Sequence, residues 1–313
     1  MRCKLVILFL VSLLLFKTSP GQTQQLPKEG GYDTPLGDVT LHYVVRGYGP
    51  IVFVVSPGWG SGSRYLQHGL SPLEESFTMV YIDMRGAGGS TRPKDVMRMS
   101  HSVMAGDIEN LRRYLKLDKV MLFGHSDGGT LSLEYAERYP EHTKKVVLAD
   151  PQILGDIGIQ ETENFLTLWQ NDPHYAQAAK QARKDFTPHD SDDAFEHDLS
   201  IELPMYVSDP DRYVPVLTKD FSDTHLSSFA ERQQRMADEL EKRDQTKDFR
   251  KITAKTLILS GTADWVCPYQ TAVRASSAIP NARVSLYVNK GHVLWIEDPA
   301  RFFAEVKAFF LEL

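Results

Sequence analysis

Three residue types that do chemistry together stand far apart in this chain: Ser126, Asp264 and His292. The serine lies in Gly124-His125-Ser126-Asp127-Gly128, with Gly129 following. Glycines on both sides suit a turn too tight for side chains, and such a turn presents one hydroxyl. A serine hydroxyl is a weak nucleophile until a base takes its proton. His292, in Lys290-Gly291-His292, supplies a base late in the chain, and Asp264, in Gly261-Thr262-Ala263-Asp264, supplies the acid between them. The acid would fix the imidazole tautomer and stabilise its charged form. The implied chemistry is attack on an acyl carbonyl, with His292 passing the proton to the leaving group. Asp150, which ends another apolar run, is the alternative acid. His125 is read as a packing residue, because neighbours in a sharp turn point apart. The plain alternative is a glycine-rich turn with an idle serine.

A tetrahedral intermediate needs two donors for its oxyanion. The Asp127 N–H, at the start of a helix, is one. The second is expected in the glycine-rich stretch Ser56–Ser63, at the Trp59 N–H, with Gly58 as the substitute; the Trp59 ring would line the acyl pocket. Arg85, in Asp83-Met84-Arg85-Gly86, is expected to brace its loop by hydrogen bonds. Cys267 is read as a small core residue. No histidine or cysteine cluster has metal-ligand spacing, and no phosphate loop occurs, so no metal and no cofactor are expected.

These positions require a scaffold that ends strands at one edge. Residues 39–47 alternate like a half-exposed strand. Continuous apolar runs at 51–56, 77–83, 119–124, 145–150, 255–261 and 283–289 read as strands covered on both faces. Helical periods at 102–117, 130–140 and 299–313 lie between or after them. Strands alternating with helices imply an α/β fold, a mainly parallel sheet flanked by helices. Ligand sites of such sheets lie at the carboxyl ends of strands, where Ser126, Asp264 and His292 fall. The alternation stops between 151 and 250, where 21 acidic residues face 11 basic ones. That stretch is read as an inserted helical cap, with the core in two parts, 22–150 and 251–313.

The net charge of −6 gives no basic patch for nucleic acid or an anionic membrane. The first 21 residues differ: a basic head, an apolar run at 5–16 and small residues near Ser19 and Gly21. This is the pattern of a cleaved secretory signal, with an uncleaved membrane anchor as the alternative, and it implies a secreted chain. With Cys3 in that leader, Cys267 has no partner for an intramolecular disulfide.

The stretches "PGWG", "DMRGAGGS", "GHSDGG", "GTADWVCP" and "GHVLWIEDP" together resemble an α/β-hydrolase, and within it the proline iminopeptidase-like branch of serine peptidases. The resemblance covers about 36–150 and 251–313. It implies a helical cap after the sixth sheet strand, release of an N-terminal residue from a peptide, and acidic cap side chains holding the free amine. Glu161, Glu163 and Glu202 are the candidates, with Glu202 and Gly58 assigned to substrate binding. Where that family's loop reads His-Gly-Gly-Pro-Gly, this chain has Pro57-Gly58-Trp59-Gly60. The expected partner is a short peptide or small molecule. An esterase, thioesterase or lactonase is the alternative, and a ligand-binding protein on the same fold is the alternative of another class.

Overall fold

The computed structural model describes residues 27–184 and 188–312; the expected leader, with Cys3, lies outside the described residues. One eight-stranded sheet holds β1 (Gly30–Leu36), β2 (Val39–Arg46), β3 (Ile51–Val55), β4 (Thr78–Ile82), β5 (Val120–His125), β6 (Thr143–Ala149), β7 (Lys255–Gly261) and β8 (Ala282–Tyr287), the six apolar runs forming β3 to β8. Their order is β1-β2-β4-β3-β5-β6-β7-β8. β1 and β2 pair antiparallel, as do β2 and β4, and every other pairing is parallel. The fold is thus the expected mainly parallel α/β sheet.

The continuous runs are explained by burial on two faces. Phe53, Val55, Leu122, Val146, Leu148 and Ile258 face one core layer, while Val52, Val54, Phe123, Val147, Ala149, Leu257 and Leu259 face the other. Each of β3 to β7 therefore alternates between two apolar layers, and no polar period remains to see, whereas β2 keeps its alternation and β8, expected to be covered on both faces, is only half-buried at the sheet's edge. The helices of the core are α1 (Arg64–Gly69), α2 (His101–Tyr114) and α3 (Asp127–Arg138). α2 and α3 fill the first layer with Met104, Ile108, Leu111, Leu131 and Tyr135.

Between β6 and β7 come α4 (Ile159–Trp169), α5 (Ala176–Ala182), α6 (Asp192–Glu202), α7 (Pro210–Phe221) and α8 (Ser228–Glu241). Their starts are marked by side-chain caps: Ser191 on α6, Asp209 with Pro210 on α7, and Ser227 on α8. These helices share cores with the sheet. Leu166, Ala179, Leu203, Met205 and Leu217 join the second layer, and Ala230 and Ala237 of α8 join the first. After β7 come α9 (Tyr269–Ala278), α10 (Leu294–Glu297) and α11 (Pro299–Leu311), the last capped by Asp298. α11 closes the second layer with Phe302, Val306 and Phe309.

Candidate active site

β5 runs straight into α3, and Ser126 is the hinge residue, with φ 55° and ψ −127°. A non-glycine residue here is strained by about 1–3 kcal/mol. The surroundings over-determine it. The Ser126 N–H donates to the Ala149 carbonyl at 3.1 Å, and its own carbonyl accepts from Gly129 at 2.9 Å and Gln152 at 3.1 Å. The neighbours must be glycine: a Cβ on Gly124 would lie 2.3 Å from the Gly128 carbonyl oxygen, and one on Gly128 2.3 Å from that of Val55. From 120 to 137, Ser126 alone is not fully buried. The corner therefore delivers one hydroxyl out of an otherwise closed core.

His292 follows β8 on the loop before α10, and Asp264 follows β7. His292 Nδ1 and Asp264 Oδ2 are 2.7 Å apart, and both residues are buried. Asp264 Oδ1 accepts the Val266 and Cys267 N–H groups at 2.8 and 3.0 Å, so the carboxylate is met by three donors. With Nδ1 holding a proton for the carboxylate, Nε2 is the ring nitrogen left to act as base. Ser126 and His292 line one narrow cavity of about 70 Å³, with Tyr65, Phe195, Leu199, Phe221, Leu226 and Val266 as apolar walls. Asp150 is fully buried and bonds not to the histidine but to the Gly261 N–H at 2.8 Å. Burial, then the nearby Asp264 charge, push its carboxyl well above the usual range, towards the uncharged form.

Cys267 is buried at the site, its backbone N–H held by Asp264 Oδ1. Burial, then the Asp264 charge, push the thiol well up, which keeps it protonated. Asp264, Cys267 and His292 bring ligand-type atoms within 4.8 Å of one another, a proximity their sequence spacing did not reveal. The Asp264–His292 bond already joins two of the three.

His125 does more than pack. Its Nε2 donates to the His292 carbonyl at 2.8 Å, and the Tyr65 hydroxyl bonds its Nδ1 at 2.9 Å. Burial, with the neighbouring His292 adding to it, holds its pKa well below the ordinary value, consistent with a neutral ring. The two histidine rings lie 4.6 Å apart. The His292 N–H donates to the Tyr206 carbonyl at 2.8 Å. The His292 backbone is thus held from both the elbow and the inserted helices.

Asp127 begins α3, where its N–H has no intrahelical acceptor. Trp59 follows β3 on the facing loop, half-buried, its ring edge-on to Phe195 at 5.9 Å. The Gly58 N–H, named above as the substitute donor, is instead committed to Asp127 Oδ2 at 2.8 Å, which leaves Trp59 as the loop's candidate. Arg85 braces its loop with Nε and Nη2 on Asp107 at 2.6 and 2.7 Å and Nη1 on the Arg98 carbonyl at 2.7 Å.

A second cavity of about 470 Å³ adjoins the first and shares Trp59, Gln152, Phe195, Leu199, Tyr206 and Val266 with it. Five carboxylates line it, those of Asp127, Glu202, Glu231, Asp238 and Glu239, together with His101, His189 and Arg235. Glu202 is buried there at the end of α6. Glu161 and Glu163 point elsewhere, to Arg274 at 2.9 Å and Arg183 at 2.7 Å. Glu231, Asp238 and Glu239 were missed in the sequence: on α8 they read as ordinary charges of an amphipathic helix.

A model of the α/β hydrolase fold family matches residues 51–299. A 2-hydroxy-6-oxo-2,4-heptadienoate hydrolase from Pseudomonas putida is 30% identical over 288 residues, spanning 90% of this chain and 93% of that protein. A proline iminopeptidase from Pestalotiopsis fici is 29% identical over 257 residues, spanning 79% of this chain and 87% of that protein. Among solved structures, an α/β fold family hydrolase from Bacillus anthracis superposes with a TM-score of 0.71 at 16% identity, covering 89% of this chain and 99% of that one.

Proposed function

The chain belongs to the α/β hydrolase fold family, and from that premise we propose that it is a serine hydrolase working through an acyl-enzyme, which releases an N-terminal residue from short peptides. The observation that carries the mechanism is the strained Ser126 sharing one apolar cavity with a histidine already bonded to Asp264. Ser126 Oγ attacks the carbonyl carbon while His292 Nε2 takes its proton. The Asp127 and Trp59 N–H groups hold the oxyanion. His292 then protonates the leaving amine, and water reverses the sequence to free the acid. The apolar cavity takes the residue's side chain, and the carboxylates of the adjoining chamber, Glu202 and Glu231 among them, hold its ammonium group.

A second reading rests on Arg235, which lines the same chamber and would suit an acidic substrate. The Pseudomonas putida relative is named for a dienoate substrate. Esters of small acids belong to this reading. Fluorogenic aminoacyl amides, acyl esters and dienoate acids, offered to wild type and Ser126→Ala, separate the two. The expected outcome is turnover of free-amine aminoacyl amides, fluorophosphonate labelling at Ser126, and loss of about 10⁴-fold or more in kcat in the variant with folding unchanged. Preference for the acids or esters moves the assignment to the second reading. Absence of labelling removes the serine mechanism.

A further inference from the structure

His101 opens α2, 3% exposed, and both of its ring nitrogens face carboxylates. Nε2 lies 2.5 Å from Asp127 Oδ1 and Nδ1 lies 2.7 Å from Asp238 Oδ2. The His101 backbone N–H also donates to Asp238 Oδ1 at 3.0 Å. Asp127 is the residue after the nucleophile, and its other oxygen holds the Gly58 N–H. Asp238 comes from α8, in the segment inserted between β6 and β7. The neutral Gln234 of α8 lies against the same edge, its amide nitrogen 3.2 Å from His101 Nε2 and 3.5 Å from Asp127 Oδ2. Tyr65 of α1 and Cys267 also lie near Asp127, and Glu241 of α8 reaches the start of α2 through Ser100 and Ser102.

An ionised carboxylate only accepts hydrogen bonds, so an imidazole bonded to two of them carries two protons. Burial opposes that charge, but the Asp127 and Asp238 carboxylates outweigh it and hold the His101 pKa well above its ordinary value. Asp127 has two tasks that conflict. Its backbone N–H is a proposed donor to the oxyanion, while its carboxylate, fixing the loop of the second donor through Gly58, would repel that oxyanion in a site of low dielectric.

Resting on the serine-hydrolase reading, we infer that His101 is a positioning residue of the oxyanion site: its imidazolium, clamped between Asp127 and Asp238, cancels the Asp127 charge and leaves that carboxylate free to hold the Gly58–Trp59 loop in register with α3. The residue following the nucleophile thereby ties both donors together, and the inserted helix α8 completes the arrangement from outside the core.

The test is a mutant cycle of His101→Gln, Asp127→Asn and the double variant, read by kcat, KM, melting temperature and inhibition by a boronic acid, which binds as a tetrahedral anion. His101→Gln is expected to lower kcat about ten- to hundredfold, less than outright loss of an oxyanion donor. KM should move less than threefold, and the boronate should weaken in step with kcat. The double variant should exceed His101→Gln in kcat, because the carboxamide of Asp127→Asn removes the uncancelled charge while still accepting from Gly58. Additive losses, or equal weakening of substrate and boronate, overturn the inference and leave His101 a purely structural tie. If His101→Gln does not fold, Asp238→Asn replaces it: kcat should fall at a lower alkaline pH than in wild type, and an unchanged pH profile overturns the inference. Failure of the hydrolase reading is separately visible, as wild type that a fluorophosphonate does not label at Ser126.

Discussion

Two buried aspartates compete for one role, and their surroundings separate them. Asp264 accepts three hydrogen bonds, one of them from His292. Asp150 accepts one N–H, from Gly261, and burial, then Asp264, push its carboxyl towards the uncharged form. Asp264→Asn should therefore lower kcat about 10⁴-fold, as loss of the orienting acid does in such triads. Asp150→Asn should stay within about threefold, since a carboxamide copies a protonated carboxyl and asparagine tolerates its φ of 45°. The pH dependence follows with a definite sign. The Asp150 carboxyl titrates higher folded than unfolded, so wild type loses stability as pH rises through and above the ordinary carboxylate range. Asp150→Asn removes that slope, and denaturant melts at pH 5 and pH 8 should show it gaining on wild type at the higher pH. A tenfold or greater loss of kcat in Asp150→Asn would return it to the catalytic role. Ser126, Asp264 and His292 were legible because each carries a local sign, a glycine beside a reactive type at the end of an apolar run. His101 and Asp238 carry none: one is a polar first residue of a helix and the other an acid on an acidic face. Their meaning exists only once α2, α3 and α8 meet.

Elements were legible where one period ran unbroken. The alternating stretch at 39–47 became β2, the six apolar runs became β3 to β8, and the longest helical period became α2. β1 was not seen, because Gly30, Gly31 and Pro35 break every strand signal; as the sheet's edge, paired only with β2, it has room for them. The return from the inserted helices to β7 was equally hidden. There Arg243, just past α8, reaches Glu134 and Glu137 of α3 and also Asp248, bonding Glu134 at 2.9 Å and Asp248 at 2.7 Å. Burial, then Glu134 beside it, push the Glu137 carboxyl up to about 9. Its folded pKa exceeds the unfolded one, so wild type loses stability as pH climbs from about 4.5 towards 9. Arg243→Met takes the shared cation from this cluster and should cost about 3–5 kcal/mol, the range for stranding buried charge. The deficit should be larger at pH 8 than at pH 5, where protons neutralise the stranded carboxylates. Urea unfolding at both values measures it, and a deficit that does not change with pH would mean that Arg243 contributes by packing alone.

At the scale of the whole molecule the question is where the acidity sits. The chain is only −6 overall, yet the inserted stretch from 151 to 250 holds 21 acidic against 11 basic residues. For Glu161 and Glu163 that acidity is solvated surface, since both lie in ion pairs on the outside. Glu202, Glu231 and Asp238 instead turn inward to the chamber beside Ser126, which the exposed Glu239 also lines. A cleft of one sign between low-dielectric walls concentrates the opposite charge and speeds its arrival, an effect that salt screens over about 10 Å at 0.1 M. With the proposed amine site in this chamber, kcat/KM for a free-amine aminoacyl amide should fall several-fold between about 20 mM and 500 mM sodium chloride. The same amide acetylated on its amine, or a neutral acyl ester, should change little over that range. Glu202→Gln should flatten the salt dependence of the free amine without altering that of the ester. An acidic substrate held by Arg235 would show salt relieving a repulsion, so the sign of the slope decides between the two readings before any substrate is optimised.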